Sequence, residues 1–330
     1  ATLNLIKTWP KSDSHSLTQL APPVDNRCIS GIRGMRVHTI ISDDPEHMRR
    51  SIESADAVIC HWWDVPELWR ISTCLPPAKT YLWVHTGGYS IPPLLEAGRW
   101  LREHVLLTSE SARVQLANMS VNSRGLTVVP SVTDLSPYLE LSCDQRRGGA
   151  AYAGTLQLKK VHADFRNLPD CLTQDLLPIK LIGRLQPAFA DYLQLNVPAS
   201  RTSWNYEGFV SDITSAFGDS GLFLYPLRSD HYGTTENILL EAMALGLVPL
   251  VLNNLPEVFA VSGQAFHLEN SWISRHCIAT SVEDMAARAN RIMDDPELRS
   301  RISRSVTDLM ATIQATVRPG EMMARAITGA

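Results

Sequence analysis

Three stretches of this sequence carry residue types that can do chemistry at a spacing that suggests a shared task. The first runs His231-Tyr232-Gly233-Thr234-Thr235-Glu236-Asn237-Ile238-Leu239-Leu240-Glu241. It follows the apolar run 222–225 and reads as a strand, a Gly/Thr loop and a helix. Thr234 or Thr235 is placed to cap that helix. The N–H groups and positive dipole end at its start suit a phosphate. By helical spacing Thr234, Asn237 or Ile238, and Glu241 share one face. Glu241 falls about 7–10 Å along the axis from the helix start, at about 1.5 Å per residue. A carboxylate there can grip ribose hydroxyls while the helix start holds a diphosphate. Its neighbours Leu239, Leu240, Ala242 and Met243 are apolar, so the carboxylate needs a partner.

The second stretch is Ala153-Gly154-Thr155-Leu156-Gln157-Leu158-Lys159-Lys160, after the strand-like run 150–153. Lysines at such a place stabilise the negative charge that develops on a departing nucleoside diphosphate, which is electrostatic catalysis rather than proton transfer. Arg184, in Leu181-Ile182-Gly183-Arg184, offers a further positive charge. The third is Thr80-Tyr81-Leu82-Trp83-Val84-His85-Thr86-Gly87-Gly88, a strand running into glycines that permit close backbone approach to a ligand. His61, in Cys60-His61-Trp62-Trp63-Asp64, also ends a strand and competes with His85 for a site role. Trp62, Trp63 and Trp83 can each stack on a sugar ring, although core packing is the better account of each.

Positioning these groups takes a regular scaffold. Short runs rich in β-branched and aromatic residues recur at 37–41, 57–60, 80–84, 104–108 and 126–129. Helical patterns at 45–54 and 91–103 separate them. The alternation lapses over 134–150, which reads as a linker. It then resumes with strands at 150–153, 179–182, 222–225 and 248–252 and helices at 211–217, 236–245 and 282–294. Strand, helix, strand implies parallel sheets covered by helices, and ligands in such sheets sit beyond the carboxyl ends of the strands. The expected architecture is α/β, with two Rossmann-like domains. The expected domains are residues 1–140 and 141–310, with residues 311–330 as a C-terminal segment.

Bulk properties narrow the class. The 330 residues are 45% hydrophobic and 19% charged, enough for two domains of ordinary size. A net charge of -4 with no block of like charges argues against a nucleic-acid footprint. The 6 cysteines, Cys28, Cys60, Cys74, Cys143, Cys171 and Cys277, have no metal-ligand spacing and read as reduced thiols. The longest apolar stretch, 242–252, is broken by Gly246 and Pro249 and is too short to span a bilayer. The N-terminus, Ala1 to Lys7, lacks a signal-peptide pattern. A cytoplasmic protein is expected, with peripheral contact at the inner face of a membrane as a further option. No metal site is expected, since no DxD triplet sits at a strand end.

Several of these stretches resemble one family. Glu241-Ala242-Met243-Ala244-Leu245-Gly246 with Val248-Pro249 is similar to the "E-A-M-A-x-G-x-P-V" hallmark of retaining GT-B glycosyltransferases of group 1. Asn254-Leu255-Pro256-Glu257 resembles its "G-G-x-P-E" turn, and Asp294-Asp295-Pro296-Glu297-Leu298-Arg299 its "L-x-D-D-P-E-L-R" segment. Tyr206-Glu207-Gly208-Phe209-Val210 resembles its "F-x-G-F-V" strand end. Gly154 to Lys160 resembles "G-R-x-x-x-x-K", with Thr155 in place of the Arg. Thr80 to Gly88 resembles the first-domain "V-x-x-H-G" segment, and Val128 to Leu135 the bridge between domains, with Ser131-Val132 in place of Asn-Gly. The family's first Glu, eight positions before Glu241, is Gly233 here; Glu236, Asp230, or the Thr234 and Thr235 hydroxyls are candidates to replace it.

The resemblance implies a GT-B glycosyltransferase of polysaccharide biosynthesis. It would move a sugar, a hexosyl group by implication, from a nucleoside diphosphate to an acceptor hydroxyl on a glycan, a lipid-linked or a small molecule. It implies retention and no cofactor beyond the donor itself, with residues 1–140 on the acceptor side, residues 141–310 binding the nucleotide sugar and residues 311–330 crossing back to the first domain. It assigns His85 and Lys160 to catalysis. Donor contacts fall to Gly154, Thr155, Lys159, Arg184, Phe209, Val210, Tyr232, Gly233, Thr234, Thr235, Glu236 and Glu241. His61, Trp62, Gly87 and Gly88 stand on the acceptor side. A nucleotide-sugar epimerase, a phosphorylase and a non-catalytic scaffold are the alternatives on this architecture.

Overall fold

The structure is a computed structural model and describes residues 2–10, 15–19, 37–41, 45–142, 148–195, 203–218, 220–262 and 271–329. Cys28, Cys143 and residues 143–147 of the expected linker lie outside the described residues, as does most of the segment before β2. The chain divides into two compact units, Ala1–Asp134 with Val317–Ala330, and Leu135–Thr316.

In the first unit, β1 (His15–Gln19) pairs in parallel with β2 (Val37–Ile41). A four-stranded parallel sheet follows in the order β3 (Val58–Trp62), β4 (Thr80–Val84), β5 (Val105–Leu107) and β6 (Thr127–Val128). β4 is buried along its whole length, which explains its near-continuous apolar sequence. Alternation along the strands feeds two cores. Trp62, Leu82, Val84, Val105 and Leu107 pack on one face. Tyr81, Trp83, Leu106 and Val129 pack on the other, against Leu5 and Met323.

The second face is covered by the terminal helices Thr2–Lys7 and Pro319–Thr328. A side chain at Gly320 would overlap the backbone of Leu5, Thr8 and Trp9, so glycine sets their spacing. The Gly320 N–H donates to Thr8 Oγ1 at 2.7 Å, and Tyr81 OH donates to Ile327 O at 3.0 Å. One helix is shorter than its pattern predicts. The expected helix over 91–103 ends at Glu96, because Gly98 turns the chain with φ +61.

The second unit is built on a six-stranded parallel sheet in the order β12 (Ile278–Ala279), β11 (Val248–Leu252), β10 (Ser220–Tyr225), β7 (Gly148–Ala153), β8 (Ile179–Ile182), β9 (Trp204–Gly208). From β7 the chain winds outward through β8 and β9. It then returns to the other side of β7 and winds the opposite way through β10, β11 and β12. The order therefore reverses between β7 and β10, the place where open α/β sheets form ligand crevices. The helix Val282–Asp294 buries Val282, Met285, Ala286, Ala289 and Ile292 at helical spacing. Its N-cap Ser281 accepts from the Asp284 N–H at 3.1 Å. Beyond it a 21-residue helix, Pro296–Thr316, opens on a proline at its first position and packs on the helix Asn237–Ala244. No helix among the described residues is long and apolar enough to cross a membrane.

Candidate functional site

Lys160 and the loop 231–236 both lie beyond the carboxyl ends of the two strands at the reversal. The loop after β7 is stitched to the end of β10 by backbone. His162 N–H donates to Pro226 O at 2.9 Å, and Arg228 N–H to Lys160 O at 2.9 Å. This holds Lys160 over the Tyr225 ring, its Nζ 5.5 Å from the centroid. Lys160 is buried, whereas Lys159 and Arg184 are exposed. Of the three expected cations, only Lys160 is therefore built into the interior.

Its partner is Glu236. Lys160 Nζ donates to Glu236 Oε2 at 2.9 Å, and Tyr225 OH donates to the same oxygen at 2.6 Å. Burial pushes the Glu236 carboxyl up, but Lys160, His231 and the Tyr225 hydroxyl together outweigh it and hold the group below its ordinary range. Burial likewise lowers Lys160, and Glu236 outweighs it and raises the ammonium. Asp230, the other expected carboxylate, is exposed and paired with Arg228 at 2.7 and 2.8 Å.

The ion pair continues inward. His231 Nδ1 lies 3.8 Å from Glu236 Oε1, and His231 Nε2 lies 2.9 Å from Oε1 of the fully buried Glu257. The Gly233 N–H donates to His231 Nδ1 at 3.0 Å, which leaves the ring proton on Nε2, facing Glu257. One ligand atom each from His231, Glu236 and Glu257 gather within 4.8 Å, a set able to hold a metal ion. Lys160 already neutralises Glu236 there, and the Gly233 N–H occupies Nδ1. Sequence reasoning missed Tyr225 and Glu257 as members of this cluster. Glu257 was read as part of a turn, and its burial inside the helix Leu255–Ser262 leaves no trace in residue type.

The geometry accounts for Gly233. A side chain at this position would overlap Glu236 Oε1 and crowd the His231 ring. The space is taken by a carboxylate reaching back from three residues later. The helix starts differently from expectation as well. Its N-cap is Glu236, not Thr234 or Thr235, and the Glu236 side chain makes no capping bond because it is turned to Lys160. Thr234 is buried and Thr235 half-buried in the loop before the helix. Glu241 lies four residues beyond the first residue of the helix Asn237–Ala244. Burial pushes its carboxyl up to about 7, against a hydrogen bond with Tyr138.

Around this cluster the strand ends are bare. β7, β8 and β9 each finish at a glycine of positive φ: Gly154 at +138, Gly183 at +134 and Gly208 at +80. A side chain on Gly183 would overlap the Gly154 carbonyl. Thr155 follows at the β7 exit, half-buried, its carbonyl accepting from Tyr152 OH at 3.3 Å. Phe209 and Tyr232 are exposed and Val210 is half-buried. Tyr232 OH accepts from Gln157 Nε2 at 2.7 Å.

The first unit gathers a different set at its own carboxyl edge. His61 is the penultimate residue of β3, His85 follows β4 and Ser131 lies beyond β6. His61 Nδ1 and His85 Nε2 are 3.0 Å apart, and Ser131 Oγ lies 3.2 Å from His85 Nδ1. Burial lowers both imidazoles, His61 to about 4 and His85 to about 2, so both are neutral at pH 7. Trp62 is fully buried in the core, whereas its neighbour Trp63 is 52% exposed. Gly88 is spent on packing, since a side chain there would meet Ala112 O and Gln115 Cβ at 2.8 Å. Gly87 is buried with an ordinary φ of -60.

No family model and no curated protein matches the chain by sequence. Solved structures do match it by shape. Anabaena HepE in complex with UDP is 11% identical at a TM-score of 0.69, covering 96% of this chain and 100% of its own. The apo lipopolysaccharide outer core galactosyltransferase WaaB is 13% identical at 0.59, covering 99% and 94%. TarM is 10% identical at 0.63, covering 86% of this chain and 56% of its own. With two α/β units, each on parallel sheets, the chain has the GT-B fold of these glycosyltransferases.

Proposed function

We propose that the chain is a glycosyltransferase that moves a hexosyl group from a nucleoside-diphosphate sugar to an acceptor hydroxyl, with retention and without a metal. The observation that carries this reading is the buried Lys160–Glu236 pair where the strand order reverses, next to strand ends stripped to glycine. A buried ammonium held by one carboxylate can exchange that partner for the oxygens of a diphosphate and stabilise them as they leave. Glu241 is a half-buried carboxylate whose surroundings push its pKa up, and ribose hydroxyls would give it partners. Glu236, rather than the surface-paired Asp230, takes the place of the carboxylate missing at Gly233. His85, neutral at pH 7, acts by hydrogen bonding and not by charge.

HepE was solved with UDP and with UDP-glucose, so uridine donors are the first to test. The acceptor is a carbohydrate or glycoconjugate, and the site of action is the cytoplasm or the inner face of a membrane. The decisive assay offers a panel of labelled nucleotide sugars with and without acceptors, in the presence and absence of a chelator. Transfer that survives the chelator and keeps the anomeric configuration is the expected result. Epimerised donor without transfer overturns the reading. A protein that is stabilised by nucleotide yet turns over nothing is a scaffold.

A further inference from the structure

We propose that the exposed face of Trp63 is a stacking platform for a pyranose ring, so that the first unit binds a saccharide. Exposure alone would not carry this, since single exposed apolar side chains are ordinary. The indole is held in place from behind. It stacks on the His85 imidazole with centroids 4.6 Å apart and planes 12° from parallel. His85 is itself fixed, by His61 at 3.0 Å, by Ser131 at 3.2 Å and edge-on by Trp83 at 4.7 Å. The next residue, Asp64, adopts a left-handed φ of +52 that few side chains tolerate, and it turns the chain directly after the ring. With one face on His85 and half its surface exposed, the indole keeps its other face open.

What fits that face follows from its chemistry. A pyranose presents a flat array of C–H bonds, slightly positive, to the negative face of an aromatic ring. Its hydroxyls project at the rim, where polar groups can meet them. The rim here holds the exposed Asp64 and the half-buried His61. Asp64 Oδ1 accepts from Trp69 Nε1 at 2.8 Å, and Oδ2 has no protein partner among the described residues. His61 and His85 are neutral and Asp64 is acidic, which suits an uncharged sugar and disfavours a phosphate. Trp63 and Tyr89 are the exposed indole and phenol of this unit among its described residues; Trp63 directly follows β3, and Tyr89 lies in a short 3-10 helix, Gly88–Ser90, beyond β4. Calling the saccharide an acceptor rests on the transferase reading; the stacking itself does not.

The test uses the full chain labelled with fluorotryptophan, whose 8 indoles give resolvable fluorine NMR lines. The Trp63 line is the one lost in Trp63→Phe. Methyl β-glucopyranoside, methyl α-mannopyranoside and maltose are titrated in turn, with glycerol as the control and UDP added last. The expected result is a saturable shift of the Trp63 line with at least one glycoside and none with glycerol. Trp63→Ala should weaken that glycoside at least about fivefold, and Trp63→Tyr should retain most of the binding. A Trp63 line that stays fixed with every glycoside while UDP binds overturns the platform and leaves the transferase reading intact. A line that moves with uridine instead of the glycosides also overturns it. Glycoside binding with no response to UDP keeps the platform and rules out a uridine donor.

Discussion

The two units place functional groups at the same topological position, the carboxyl edge of a parallel sheet, yet build opposite environments there. In the first unit the groups are neutral: two imidazoles, a hydroxyl and an indole, joined by stacking and shared protons. In the second they are ionic: an ammonium and a carboxylate, continued into an imidazole and a second carboxylate. The titratable groups of both sets are at least half-buried, and burial penalises charge wherever it is not matched. The first unit answers by discharging its titratable groups, the second by pairing them. Neutral stacked groups suit a sugar, whose recognition is directional and uncharged. A paired ammonium suits a diphosphate, which can replace the pairing anion.

The largest effect is expected where the ionic set is broken. Lys160→Met leaves Glu236 buried without its cation and should cost about 3–5 kcal/mol of stability in urea unfolding. Donor turnover should fall by about 10²–10³. Adding Glu236→Gln to Lys160→Met should recover most of the stability and none of the turnover. A single variant as stable as wild type would show that the pair does not organise this unit.

The next effects are pH-dependent and should have opposite signs in the two units. Glu241 titrates near 7 folded against an ordinary 4.5 unfolded. The folded state binds the extra proton between these values, so stability falls as pH rises from 4.5 through 7, by about 3 kcal/mol in all. Glu241→Gln should remove that loss, stabilising the protein at pH 8 and changing little at pH 4. His61 titrates near 4 folded against an ordinary 6.5. Here the unfolded state binds the extra proton, so stability falls as pH drops from 6.5 through 4. Hydrogen exchange resolved by segment should find β3 and β4 loosening in acid and the helix Asn237–Ala244 loosening in alkali. The same direction in both would contradict the contrast.

The smallest effect belongs to Ser131. Ser131→Ala removes one hydrogen bond to His85 and should cost about 1 kcal/mol in the first unit. Unchanged exchange of β4 in this variant would mean that His61 and Trp63 alone hold the His85 ring.

The sequence made some of this legible. The strand, loop and helix around Glu241 could be read because an apolar strand, a Gly/Thr loop and an apolar helix follow one another without interruption. The need of Glu241 for a partner could be read from its neighbours. The direction of Glu236 could not, since Lys160 is 76 positions away and no local pattern links them. Trp62 and Trp63 are the same residue type side by side, so only the strand's facing decides which is core and which is surface. Ser131 looked like a change in a bridge between domains, and its contact with His85 depends on the register of β4, β5 and β6.

The space beside Gly233, filled by the Glu236 carboxylate, ties the two positions together. A side chain at 233 and the present Glu236 carboxylate compete for one space, so glutamate at 233 would force Glu236 away from Lys160. Passing from one arrangement to the other by single substitutions crosses an intermediate with two carboxylates in one place or with none. In a set of relatives the two positions should therefore change together. A motif scored position by position would count the outcome as a loss.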